Sequence, residues 1–385
     1  MTNQLNYYVN CPICGSSQIK EVLNKPHAFF TSGSASVEKY SVALCHNCSF
    51  VFQKSAYTKT YQEAINKLYQ NYQQSNQFDF PRRDPKTLDA LDFVTHYINI
   101  GPQTKVAEFG SDRGDFLYLL KQQTGAQVVG LEPCEQPDAK VPTKIASILQ
   151  PSSHGQFDVI LMKQTFEHIV DPIKAVNNLK TYVKAGGYVY IEVPSLERIT
   201  EYSLEDFIPD HVSHYSIHTL LKLFKGWSII TWHHEHFLSV ILQNKLPQTY
   251  LSETFDLSQQ LKQLSLFFHD FNKKLYDFKS ALIKQSNMGG IIIFFGAGLY
   301  FRSLLAAFID ELNRDNLFFI DDNLNENIEP CFGLQRANID KFKEQPVLVI
   351  GCSNDIKSQQ AMHHRAATLF SKMSYLYLFS SFSTE

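Results

Sequence analysis

The sequence has no apolar run long enough to cross a bilayer; its longest, near residues 291–301, falls short of the ~20 residues a membrane helix needs. The opening stretch MTNQLNYYVN is polar and lacks the apolar segment of a secretory leader. An excess of positive charge is missing too. Lys and Arg number 35 against 38 Asp and Glu, a formal charge of −3, which argues against a nucleic-acid surface binder. These absences predict a soluble, cytoplasmic chain with neither a membrane nor a nucleic-acid partner. In that compartment seven cysteines read as metal ligands and buried thiols rather than disulfides. What the chain does have is apolar mass, 44 % hydrophobic and 13 % aromatic over 385 residues, enough for two or three packed domains.

Residues 106–120, VAEFGSDRGDFLYLL, read as a strand, a glycine-bearing turn and a helix start. The apolar lead Val106-Ala107 ends at Glu108, and Gly110 and Gly114 bracket a turn where missing side chains let a ligand approach the backbone. A second strand, AQVVGLEPCE, ends in Glu132, about 20 residues on, where a carboxylate can accept both hydroxyls of a ribose. This pattern is shared with dinucleotide binders. However, Asp112 stands where those keep the glycine that admits a pyrophosphate, so a nucleoside without phosphates fits better.

Residues 157–194 narrow the choice. Residues 158–162 read as a buried strand, Pro172 starts a helix at its first turn, and Ala185-Gly186-Gly187 turns the chain into a strand over 188–193. The run Phe166-Glu167-His168-Ile169-Val170-Asp171-Pro172 and the Lys184–Gly187 turn resemble the fourth-to-fifth-strand segment of class I S-adenosylmethionine-dependent methyltransferases. That resemblance implies an α/β, Rossmann-like core. It also implies an S-adenosyl-L-methionine site built from Glu108, Gly110, Ser111, Gly114, Glu132, Pro133, Gln164 and His168, with His168 orienting the ligand at its edge.

Four of the seven cysteines are spaced as ligands. Cys11-Pro12-Ile13-Cys14 and Cys45-His46-Asn47-Cys48 are two Cys-x-x-Cys knuckles, each able to present two thiolates to one tetrahedral ion at ~2.3 Å. A redox pair needs one such motif beside a strand-helix unit, whereas two paired motifs read as structural Zn2+. Four protein ligands leave no open position, so this metal is expected to carry no chemistry. His46 is expected to be an exposed loop histidine. Phe29, Phe30, Val37, Tyr40 and Val42 between the knuckles suffice for a small cap whose stability depends on the metal.

Further along, Leu261, Leu264, Phe268, Phe271, Leu275, Phe278 and Leu282 recur at helical spacing and predict one amphipathic helix over 257–286, packed between domains. After Met288-Gly289-Gly290 a second strand-turn-helix pattern follows, IIIFFGAGLYFRSLLAAF with Gly296 and Gly298. Then come the strands LFFIDDN, closed by Asp321 or Asp322, and VLVIGCS. This predicts a second Rossmann-like α/β domain, without by itself predicting a second site.

Cysteine cap, methyltransferase core and second α/β domain, in that order, resemble the bacterial sugar C-methyltransferases that act on nucleotide-linked keto-sugars. The turn over 108–114 is similar to that family's Glu-Ile-Gly-Ser-Asn-Asp-Gly. Residues 208–216, IPDHVSHYS, lie where the family shows Tyr-His-Glu-His-x-x-Tyr-Phe-Ser. Carried over, His211 falls on the family's proposed base and Asp210 on its glutamate, while Ile208 and Pro209 replace a tyrosine and a histidine. A histidine near neutral pKa suits removal of a proton beside a carbonyl, with a neighbouring carboxylate fixing its tautomer. The resemblance therefore names His211 and Asp210 as catalytic candidates, and His214 and His218 are the alternative bases that this sequence offers nearby. The competing role for His211 and His214 is to hold the start of a helix over 216–224, with Ser216 as N-cap. His233-His234 and His363-His364 read as surface pairs. The expected organisation is a zinc domain over 1–60, a methyltransferase domain over 61–250 and a linker helix with α/β domain over 251–385. The expected acceptor is a nucleotide-linked sugar. Transfer to oxygen or nitrogen of another small molecule, or a binding module that keeps the fold, are the alternatives.

Overall fold

The computed structural model describes residues 10–31, 34–57, 61, 63, 80–201, 207–208, 210–235, 237–245, 256–296, 311–321, 334–352 and 356–377. Pro209, Gly298, Asp322 and the side chains of Phe29, Phe30 and Val37 fall outside them.

In chain order the strands are β1 (Ile19–Thr31), β2 (Ser34–Cys45), β3 (Val51–Gln53), β4 (Lys105–Phe109), β5 (Gln127–Glu132), β6 (Thr143–Ile145), β7 (Phe157–Lys163) and β8 (Val183–Val193). They continue as β9 (Ser213–His214), β10 (Ser228–His233), β11 (Leu238–Gln243), β12 (Ile291–Phe295), β13 (Leu317–Ile320), β14 (Gln335–Arg336), β15 (Val347–Gly351) and β16 (Met373–Tyr377). Three sheets result. The central one has the order β10-β11-β8-β7-β4-β5-β6, parallel from β8 through β6, with β11 antiparallel to β8. The chain runs outward from β4 through β5 to β6, then returns to β7 on the other side of β4. The strand order therefore reverses between β4 and β7, and their carboxyl ends form the crevice where open α/β sheets bind ligands.

Helices α1 (Pro85–Tyr97), α2 (Asp115–Thr124) and α3 (Pro172–Tyr182) cover this sheet. Pro172 occupies the first turn of α3 as expected, and the Asp171 side chain accepts from Lys174 N at 2.9 Å. α4 (Ile217–Leu223) begins at Ser216, whose hydroxyl and that of Thr219 form a reciprocal capping box. One expected boundary moves. β8 begins at Val183 rather than 188, because the Lys184–Gly187 turn interrupts the β7–β8 register between Phe157 and Val159 without ending the strand.

The N-terminal sheet draws on more of the chain than the segment between the cysteines. Its order is β1-β2-β3-β9, so its fourth strand comes from the middle of the chain, with Val51 opposite His214 and Phe52 opposite Ser213. The long helix α5 (Leu257–Asn287) buries Leu264, Phe267, Phe268, Phe271, Leu275, Phe278 and Leu282. That stripe packs on Tyr40, Val42 and Leu44 of β2 and on Ile292, Phe294 and Ile350 of the third sheet in one core. A helix with apolar neighbours on two sides explains why Phe267 is buried beside six of the seven expected positions, with Leu261 half-buried. The third sheet is wholly parallel, β14-β13-β12-β15-β16, the second Rossmann-like unit expected from the sequence. No helix among the described residues is long and apolar enough to cross a membrane.

Candidate functional site

The glycine turn meets Glu132 as the sequence pattern implies. Glu132, 5 % exposed at the end of β5, accepts from Ser111 Oγ at 2.9 Å and from Asp112 N at 2.5 Å, both through Oε1. The backbone N–H of Ser111 also bonds the carboxylate. Burial pushes the Glu132 carboxyl above its ordinary range, and the donors from Asp112 and Ser111 pull it back. Gly110 has φ 68°, and a Cβ there would stand 2.5 Å from Thr165 Oγ1, which bonds the Phe109 carbonyl at 3.0 Å. The turn after β4 and the turn after β7 are thus in direct contact. Gly114, φ 83°, caps α2. Gly130 was not singled out from the sequence, yet it is what lets Ser111 reach Glu132: a Cβ there would lie 2.2 Å from Ser111 Oγ.

Glu108 lies deeper than Glu132. Burial drives its carboxyl up to about 8 against the attraction of Lys163, and its Oε2 accepts no hydrogen bond among the described residues. Pro133 is exposed just past Glu132. Gln164 holds a left-handed φ of 51°, a conformation that costs a non-glycine residue ~1–3 kcal/mol. Its amide donates to the Glu192 carbonyl at 2.8 Å and its side chain reaches Glu192 Oε1 at 3.3 Å. A carboxylate at the end of β5 and a glycine turn that accepts no side chain are what an adenosyl ligand requires there, so these residues fit the implied cofactor.

Beyond Gln164 the chain makes a short 3₁₀ helix, Phe166–His168, and here the histidines gather. His168 Nδ1 lies 2.8 Å from the Asp210 carbonyl oxygen and 3.7 Å from Asp210 Oδ2. Its ring centre is 5.1 Å from that of His211, which in turn is 6.4 Å from that of His214. Asp210 therefore serves His168, through both its carbonyl and its carboxylate. Burial lowers the pKa of His168, but Glu167 and Asp210 outweigh it and the net shift is upward. His214 is different. It is 1 % exposed, and burial followed by repulsion from His211 drives its pKa down to about 3, so its ring is neutral at physiological pH. Glu167, quoted above only as part of a motif, is 1 % exposed with its carboxyl driven up to about 7 by burial. The available signal was an acid between buried Phe166 and His168 in a turn that faces the crevice.

The loop carrying these histidines is fixed from two sides. Gln53 N donates to the Val212 carbonyl and Val212 N to the Glu167 carbonyl, at 2.9 and 3.0 Å. Tyr215 packs between Phe50 and Phe166, with ring centres 5.5 and 5.3 Å away. Phe50 follows directly on the second cysteine knuckle. There Cys11 and Cys48 sulfurs are 3.7 Å apart, Cys14 and Cys45 sulfurs 3.6 Å, and all four lie within 4.8 Å of one another. A tetrahedron with ~2.3 Å arms has edges of roughly 3.8 Å, so the sulfurs fit one ion. Asn47 Nδ2 donates to Cys14 Sγ at 3.5 Å, and His46 is exposed and outside the set. Hydrogen bonding with Cys45 raises Cys11 to about 12 while Cys11 holds Cys45 down to about 2, as expected where one negative charge is shared among thiols until a cation arrives. Of the two pairs expected at the surface, His233 is half-buried and packs on Phe93 at 4.4 Å, whereas His234 and His364 are exposed.

Residues 60–227 match a family model described as a methyltransferase domain. The C-methyltransferase NovU of Streptomyces niveus is 27 % identical over 148 residues, 35 % of this chain and 35 % of that protein. The match thus spans about a third of that curated relative's length. Geranyl diphosphate C-methyltransferase from Streptomyces coelicolor A3(2) aligns at 13 % identity, over 48 % of this chain and 97 % of that one, with a TM-score of 0.35. An adenosylmethionine-dependent methyltransferase from Aquifex aeolicus aligns at 18 % identity, over 42 % and 93 %, with a TM-score of 0.34. The segment that matches the methyltransferase-domain model is the central α/β unit, with a cysteine cluster before it and a second α/β sheet after it.

Proposed function

We propose that this protein transfers a methyl group from S-adenosylmethionine to carbon on a nucleotide-linked keto-sugar, with the four cysteines holding a structural zinc ion. The observation that carries the reading is the group formed by His168, His211, Glu167 and Asp210, built on the turn after β7 whose Thr165 touches Gly110 of the cofactor turn. The similarity to a C-methyltransferase supports transfer to carbon. The sugar rests on the likeness of the Glu108–Gly114 turn and the His211 loop to those of the sugar enzymes.

Glu132 would accept the ribose hydroxyls, and the turn from Gly110 to Gly114 would let the methionine portion lie against the backbone. When bound, the cofactor supplies an electrophilic methyl on a positively charged sulfur. Methylation at carbon then needs a carbanion equivalent, so a base must take the proton beside the carbonyl. We assign that step to His211, which is half-buried beside His168. His168 is held by the Asp210 carbonyl with Nε2 toward Glu167, and a carboxyl whose pKa lies near 7 can hold the proton that arrives. His214, kept neutral by burial, packs the loop rather than exchanging protons.

The test is incubation with methyl-labelled adenosylmethionine and a panel of nucleotide-linked keto-sugars, followed by NMR of the product. A label on carbon beside the former carbonyl is the expected result. A label only on oxygen or nitrogen moves the reaction to the alternative class, in which the acceptor atom is nucleophilic without the base.

A further inference from the structure

Glu167, His168 and His211 each offer one ligand atom, and the three atoms lie within 4.8 Å of one another. Glu167 is 1 % exposed, and neither carboxylate oxygen accepts a hydrogen bond from a described residue. A buried carboxylate without donors is costly unless a cation lies against it. The geometry of His168 points the same way. A carbonyl oxygen only accepts, so the bond to Asp210 puts the hydrogen on His168 Nδ1 and leaves the neutral ring's lone pair on Nε2, 4.0 Å from Glu167 Oε1. Two acceptors at that distance make no hydrogen bond to each other. The spacing is within about half an ångström of the roughly 3.3–3.6 Å that separates ligands on a tetrahedral ion with ~2.0–2.2 Å arms. Metal-binding histidines usually hand their other N–H to a carbonyl or carboxylate, and here Asp210 offers both.

We infer that Glu167, His168 and His211 form a second metal site, open where the first is closed, for a divalent ion of the zinc class. Two imidazoles and one carboxylate suit zinc, cobalt or nickel over magnesium or calcium, and three protein ligands leave a coordination position open. A proton shared by Glu167 and His168 is the competing way to relieve the buried charge; it needs no part from His211. Binding of the ion does not depend on the proposed reaction. Its consequence does, since an ion held by His211 occupies the base and stops proton removal.

The experiment is calorimetric titration of the full chain with zinc, and separately with magnesium, after the cysteine site has been saturated, using wild type, Glu167→Gln and His211→Ala. Wild type should bind one zinc equivalent more than either variant, with no heat from magnesium. Affinity for that equivalent should fall more than roughly 100-fold in the variants, since even outer-shell changes cost 10–100-fold. Should Glu167→Gln fail to fold, His211→Ala, which removes a half-buried side chain, carries the comparison. Equal stoichiometry and affinity in wild type and variant overturn the site, whether the shared ion lies elsewhere or none binds. Methyl transfer measured with the cysteine site loaded and no further metal added reports on the proposed reaction separately, so the two readings fail independently.

Discussion

His211→Ala should lower methyl transfer ~10²–10⁴-fold, the range supplied by a general acid–base group, while leaving cofactor affinity nearly unchanged. The two effects separate because the groups proposed to hold the cofactor sit on β4, β5 and their turns, whereas His211 sits on the loop before β9. His214 cannot substitute for it, since burial holds that ring neutral down to about pH 3. Single-turnover rates and calorimetry on the same preparation read both quantities. A variant that turns over its true acceptor at near wild-type rate would remove His211 from the mechanism. Transfer to an intrinsically nucleophilic oxygen or nitrogen, where proximity and alignment carry much of the rate, would then be favoured.

Cys45→Ser should remove the proposed zinc and disorganise the N-terminal sheet, because structural zinc contributes on the order of 10–16 kcal/mol of apparent folding free energy in small domains. The spacing of the cysteines suggests that such a loss stays within a cap. The pairing of β3 with β9 gives a different expectation. Val51 lies opposite His214, and Phe50 packs on Tyr215, so the loss should spread to the loop of His211 and abolish transfer while the β4–β5 turn keeps its cofactor. Metal analysis should show one equivalent fewer, and hydrogen exchange should quicken in β1–β3 and at 212–214 but not in β4 or β5. Unchanged metal content, or wild-type activity in the metal-free variant, would contradict this.

The parts legible in the sequence are those set by neighbours in the chain. Glycines and an acid at fixed spacing located the turn and Glu132, a 3–4 stripe located α5, and Ser216 located the start of α4. The parts that were not legible depend on distant pairing. β9 is a two-residue strand with no periodicity of its own, and it exists because β3 offers an edge to it. Asp210 adjoins His211 in sequence but packs on His168, because the loop runs back over the turn after β7. Glu167 looked like one letter of a motif until its burial showed a carboxylate with no donors. Gly130 carries no signal of its own in the sequence, and its reason is the Ser111 hydroxyl lying across it.

The claim on which the rest depends is that the turn after β4 and the end of β5 hold an adenosyl ligand. Calorimetric titration of S-adenosylmethionine, or its demethylated product, into the wild type and into Glu132→Ala tests it most directly. The account predicts binding by the wild type and a loss of ~1.5–3 kcal/mol in the variant, the scale of hydrogen bonds to a charged group. Equal affinity in the two proteins, or no binding to either, would contradict it.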